Sequence, residues 1–267
     1  MHVLRYYLVV SAITSLIFLL SGATAALDKD LVLYLPFDEG KGDKVSDLSG
    51  HGNDGTIKGN PSWIEGKSGK ALKFNGSSDY VEVANSPTLN ITGAVTILAW
   101  IKLEKGWYPP QYGNIAGINK VGGQTEDAYY LNVGYYNKEH DKLSLGIIGE
   151  GTKETFLQGK TSVPQGEWVF VTGVFSPGKF MRVYLNGKLD GEKSSDVPNK
   201  MQVTTTTPFT VGAITASTGY SFNGIIDEVA VYSRALTSKE IESIMRAGVL
   251  SIEPLDKLAV TWGEIKR

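Results

Sequence analysis

Two sets of residues in this 267-residue chain have types and spacings suited to chemistry. The first is oxygen-bearing. Asp38 follows an apolar run, Asn53 sits in a glycine-rich loop from Asp47 to Asp54, Asn75 and Asp79 flank the next turn, and Asp227 lies in a late apolar stretch. Calcium requires hard oxygen ligands of this kind, gathered by turns. The same groups also accept backbone N–H bonds. On that reading Asp38 and Asp227 staple distant segments, and Asn53, Asn75 and Asp79 are ordinary turn formers. The second set is aromatic and amide-rich: Trp107, Tyr108 and Tyr112 crowd around Pro109-Pro110, followed by Asn114, Gln124 and Asp127. Aromatic faces stack on sugar rings and amides bond their hydroxyls. The same ingredients suit a peptide groove or a covered sheet edge.

Other chemistries are excluded or unsupported. No cysteine is present, which rules out disulfides, thiolate zinc sites and cysteine nucleophiles. A formal net charge of −2 offers no cationic excess for nucleic acid. The run Gly66-Lys67-Ser68-Gly69-Lys70 is no phosphate loop, because Pro61 stands where its first glycine belongs and a strand follows instead of a helix. His51 and His140 form no metal-spaced pair, and nothing marks a nucleophile elbow. No catalytic residue is assigned.

Short strands separated by polar turns must position these groups. Apolar or alternating runs predict strands over 31–35, 71–74, 80–83, 95–101, 129–133, 143–148, 168–174, 181–185, 209–212 and 225–232. Tyr129 and Tyr130 are neighbours in such a strand and face opposite sides, so one of them belongs to the core. Glu228 would likewise point away from Asp227 in a regular strand. Asn186-Gly187 predicts a two-residue hairpin turn. One helix is expected over 238–247, capped by Thr237 with Glu240 completing a capping box and stopped by Gly248. The fold class that follows is all-β, a two-sheet antiparallel sandwich with one short C-terminal helix.

Residues 1–25 read as a signal peptide, with Arg5, an apolar run and Ala23-Thr24-Ala25 as the cleavage site. No later stretch approaches membrane-spanning length, so the expected location is secreted, extracellular or periplasmic. Residues 26–247 read as one domain. The extension 248–267 carries Leu250, Ile252, Leu255, Leu258, Val260 and Trp262, and is expected to pack on the domain or on a partner, including another copy of the chain.

Several ordered blocks carry a family resemblance. Tyr34-x-Pro36-Phe37-Asp38-Glu39-Gly40 precedes Asp47-x-Ser49-Gly50-His51-Gly52-Asn53-Asp54-Gly55-Thr56 and Gly69-Lys70-Ala71-Leu72-x-Phe74-Asn75-Gly76, then Asp79-Tyr80-Val81. The end reads Phe222-Asn223-Gly224-x-Ile226-Asp227-Glu228-Val229-Ala230-Val231-Tyr232. Together they resemble the laminin-G-like, pentraxin-like jelly-roll domains of the concanavalin-A-like lectin/glucanase superfamily. The resemblance implies a jelly-roll topology, binding more often than catalysis, and a calcium ion with a structural role. It singles out Asp227 first and Asp38 next as metal ligands, with Asn53 and Asp79 as further positions. Glucanases of this fold carry a Glu-x-Asp-x-(x)-Glu strand, and no such motif occurs here. The reading is a secreted, non-catalytic recognition protein that binds carbohydrate, with an extracellular glycan or surface protein as partner. The alternative is a structural or adhesive protein-binding domain without a sugar ligand; a glycoside hydrolase ranks below both.

Overall fold

The structure, a computed structural model, describes residues 27–110, 112–120, 126–135, 138–214 and 220–251. The expected signal peptide, residues 252–267 of the extension and Gln124 lie outside them. In chain order the strands are β1 (Leu31–Leu35), β2 (Lys44–Val45), β3 (Gly55–Lys58), β4 (Ser62–Glu65), β5 (Lys70–Asn75), β6 (Tyr80–Val83), β7 (Val95–Leu103) and β8 (Gly113–Ile118). They continue as β9 (Tyr129–Val133), β10 (Lys142–Ile148), β11 (Glu154–Ser162), β12 (Val169–Ser176), β13 (Phe180–Leu185), β14 (Lys188–Lys193), β15 (Phe209–Val211) and β16 (Asn223–Tyr232). One helix follows, α1 (Ser238–Ala247), ending in a short 3-10 turn at Val249–Ser251.

Among the described residues these strands form two eight-stranded antiparallel sheets. The first has the order β14-β13-β12-β7-β16-β5-β4, with β1 also paired to β16; the second runs β11-β10-β9-β8-β15-β6-β3-β2. This is the expected jelly-roll sandwich. Period-two alternation explains the packing. Tyr129, Leu131 and Val133 of β9 and Leu143, Leu145 and Ile147 of β10 face the first sheet and meet Ile97, Ala99, Val171 and Val231 in the central core. Asn186 and Gly187 take φ of 49° and 75° and join β13 to β14 in the expected tight hairpin.

The outer face of the first sheet is covered by the helix. Ile241 and Ile244 of α1 pack on Leu98, Phe170, Tyr184 and Tyr232. Thr237 caps α1 with the predicted capping box to Glu240. Strand β16 departs from regularity in the middle. Its N-terminal half pairs with β5 and its C-terminal half with β1, and a register shift between Asp227 and Ala230 marks the exchange. Glu228 sits there at φ 55°, in the left-handed region, so the strand bulges. The alternation expected for Asp227 and Glu228 therefore does not hold.

Candidate recognition face

Side chains of β9 to β11 that point away from the core build a patch on the outer face of the second sheet. Tyr130 pairs across the ladder with Gly146, which pairs in turn with Phe156. Asn132, two residues along, pairs with Ser144 and then Gln158. Gly146 is required, because a Cβ there would overlap the Tyr130 ring. The row thus lets one large ring lie flat across its neighbour.

Further rings gather on this row. Tyr112 lies 4.6 Å from Tyr220 and is nearly parallel to Tyr130 and Tyr135, both 6.4 Å away. Tyr135 stacks on Phe156 at 4.0 Å and 12°. Tyr130 is buried, whereas Tyr112, Tyr135, Phe156 and Tyr220 are half-buried. Carboxylates border the rings. The Tyr130 hydroxyl donates to Glu154, the first residue of β11, and the Lys120 N–H donates to Asp127. Burial pushes Asp127 up to about 7, against the Lys120 hydrogen bond and with Glu154 and Glu126 adding to it. Burial raises the Tyr112 and Tyr135 hydroxyls as well, so both remain neutral donors. Beside the rings, Asn132 is fully buried with neither amide atom partnered, and its cross-strand neighbour Asn114 has a buried, unpartnered Oδ1. Asn114 Nδ2 donates to the Ala213 carbonyl at 3.0 Å.

Three of the expected ligand residues, Tyr112, Asn114 and Asp127, belong to this patch. Trp107 does not. It packs edge-on to Phe222 at 6.0 Å and closes over the core side of Gly113, where an added Cβ would come within 2.9 Å of its ring. Tyr108 is 39 % exposed and donates to the Val163 carbonyl, next to the Gln165 side chain that holds the Trp107 carbonyl. The start of β8 at Gly113 divides the cluster: Trp107, half-buried, packs against the core, and Tyr112, also half-buried, joins the outer rings. Sequence reasoning did not gather Asn132 of β9, Glu154 and Phe156 of β11, and Tyr220, which come from three separate segments. The alternation of Tyr129 and Tyr130, with the cluster that held Tyr112, Asn114 and Asp127, was the signal pointing to this face.

Residues 75–242 match a laminin-G-like profile described as the concanavalin A-like lectin/glucanases superfamily. The chain belongs to this superfamily. No curated protein matches the concanavalin A-like chain. Among solved structures, the binding domain of Paraclostridial Mosquitocidal Protein 1 superposes with a TM-score of 0.64 at 15 % identity, over 82 % of this chain and 52 % of that one. Domain 4 of AbnA, an extracellular arabinanase from Geobacillus stearothermophilus, in complex with arabinotriose, gives 0.62 at 19 %, over 81 % and 98 %. The binding domain of botulinum neurotoxin serotype G gives 0.64 at 14 %, over 81 % and 50 %. The chain spans about half the length of the two toxin binding domains. Identities at this level establish the shared concanavalin A-like fold.

The residues that the superfamily resemblance pointed to for calcium are distributed through this fold. Asp227 is fully buried, and its Oδ2 accepts the Lys67 and Ser68 N–H groups at 2.8 and 3.1 Å, while Oδ1 has no partner. Asp38 Oδ1 accepts the Lys70 N–H at 2.8 Å. Both carboxylates thus hold the turn between β4 and β5. Asn75 pairs across the ladder with Asn223, four residues from Asp227, or about 13 Å along the strand. Its Oδ1 accepts from Ser77 and Ser78, and both Asp79 oxygens accept backbone N–H groups. Asn53 donates from Nδ2 to the Val32 carbonyl and Thr88. Among the described residues no group of three or more His, Asp or Glu gathers as a metal site. The five residues do not fit one shared calcium ion, because their oxygens are spread apart and mostly engaged by N–H groups.

Proposed function

We propose that this concanavalin A-like chain is a non-catalytic, exported recognition domain that binds carbohydrate on the outer face of β8 to β11. The observation that carries this reading is the half-buried ring set Tyr112, Tyr135, Phe156 and Tyr220 beside the unpartnered amide of Asn132 and the unpartnered Oδ1 of Asn114. Flat apolar faces next to donors and acceptors match a sugar ring, which has an apolar face and hydroxyls at its rim. A buried amide without a partner is costly, and a hydroxyl would satisfy it. One fold relative, the arabinanase domain, is complexed with an arabinose oligosaccharide, which makes pentose oligomers a reasonable first probe. Asp38, Asp79 and Asp227 act in this reading as backbone staples, away from the sugar.

Calorimetric titration of the protein with arabinotriose and a panel of neutral oligosaccharides tests the reading. Binding by at least one of them, weakened about tenfold by Tyr112→Ala with the fold intact, is expected from the loss of one stacked ring. Unchanged affinity in Tyr112→Ala, or no sugar bound while a protein partner is captured through this face, would overturn it.

A further inference from the structure

On the opposite side of the molecule, a cavity of about 260 Å³ opens between the outer face of the first sheet and the C-terminal end of α1. Its walls are the rings of Trp100 and Phe170, 5.1 Å apart and inclined at 52°, with Ile244 and Met245 of the helix. Its polar lining is Glu228 with Lys67, Ser68 and Arg246. The bulge of β16 holds Glu228 at φ 55°, a conformation unfavourable for a side chain of its kind, and the Tyr34 hydroxyl fixes one carboxylate oxygen at 2.7 Å. Only 7 % of Glu228 is exposed. The end of α1 adds the partial negative charge of its last carbonyl groups.

A cation already visits this site. Lys67 Nζ stands 4.3 Å from the centre of the Trp100 ring, and among the described residues Lys67 makes no ion pair. It is carried there by the turn that Asp227 and Asp38 anchor. Arg246, the other basic group at the rim, is turned to solvent and lies 3.9 Å from Glu242. Two aromatic walls, a buried carboxylate and a helix C-terminus all favour positive charge, and aromatic faces are established receptors for ammonium groups. The volume falls just below the range of about 300–1,000 Å³ typical of small-molecule pockets, and suits a single side chain better than an oligosaccharide.

We propose that this cleft binds the lysine side chain of a protein partner, and that Lys67 occupies it in the free protein as an internal competitor. The site is independent of the sugar-binding face and lies on the other sheet. The probe is Nα-acetyl-lysine-N-methylamide, titrated into the protein while the tryptophan indole N–H signals are followed by two-dimensional NMR. A saturable shift of the Trp100 signal is expected. Lys67→Ala should tighten it about tenfold by removing the competitor. The Nε-acetylated probe should not bind, and Tyr112→Ala should leave the titration unchanged. Because Lys67 is exposed, its replacement leaves the fold intact and is the decisive variant. Equal binding of the charged and Nε-acetylated probes, or no saturable shift even in Lys67→Ala, would overturn the proposal.

Discussion

Asp227 is pulled in two directions: burial disfavours its charge, while two backbone N–H groups favour it. Burial dominates and lifts the carboxyl from 3.8 to about 7. A folded-state value above the unfolded one means that the folded protein holds the extra proton between those limits. The resulting stabilisation is complete below about pH 4 and is lost as the pH rises through 7. Asp227→Asn retains an oxygen for the Lys67 and Ser68 N–H groups but cannot ionise. Its melting temperature should therefore gain on that of the native protein between pH 4 and 8, measured by calorimetry in matched buffers. Parallel melting curves for the two proteins across this range would show that Asp227 stays ionised throughout. The importance of Asp227 was legible in its sequence block, but its partners were not. They lie about 160 residues earlier, and only the antiparallel pairing of β16 with β5 brings them within reach.

At the scale of elements, the turn between β4 and β5 is defined by the absence of side chains at two positions. Gly69 has φ 49°, and a Cβ there would overlap Asp38 Oδ1; at Gly66 it would fall 2.6 Å from Asp227 Oδ2. Gly69→Ala should destabilise the protein by at least about 1–2 kcal/mol from the left-handed conformation alone, with a further loss as the Lys70–Asp38 bond breaks. Urea denaturation measures this, and an unchanged midpoint would contradict the staple. The long strands and α1 were readable because alternation and capping are local signals: β9 and the helix fall where the pattern places them. The strand β8 was not readable. Its sequence Gly-Asn-Ile-Ala-Gly-Ile lacks polar alternation because all six residues are buried, and two glycines lower its intrinsic preference for a strand. Likewise Glu154 resembles a turn residue in sequence, yet β11 begins there because β10 provides an edge to pair with.

Across the whole molecule, the two sheets differ in their outer faces. The second sheet presents its ring-lined outer face, whereas the first is covered by α1 and closed by ion pairs from Arg234 to Asp28, Asp30 and Glu240 that tie the start of the domain to the helix. No helix among the described residues is long and apolar enough to cross a membrane. The domain should hold together without calcium, since its acidic residues already bind backbone N–H groups. Adding millimolar calcium, or removing it with EGTA, should leave the melting temperature unchanged. A clear calcium-dependent rise would mean that an ion reaches the buried, unpartnered Oδ1 of Asp227 and that the staple reading is incomplete.

The sequence by itself determined the sandwich, its principal strands, the capped helix and the superfamily, because each is written in local periodicity, turn chemistry or short blocks. It also named Tyr112, Asn114 and Asp127, which the structure brings into one patch. Only the tertiary structure decided that Trp107 packs against the core while Tyr112 joins Tyr130, Tyr135 and Tyr220, with Phe156 stacked on Tyr135. Which side of a strand meets the other sheet, and which strands lie side by side, depends on long-range register, and no run of neighbouring residues carries that information.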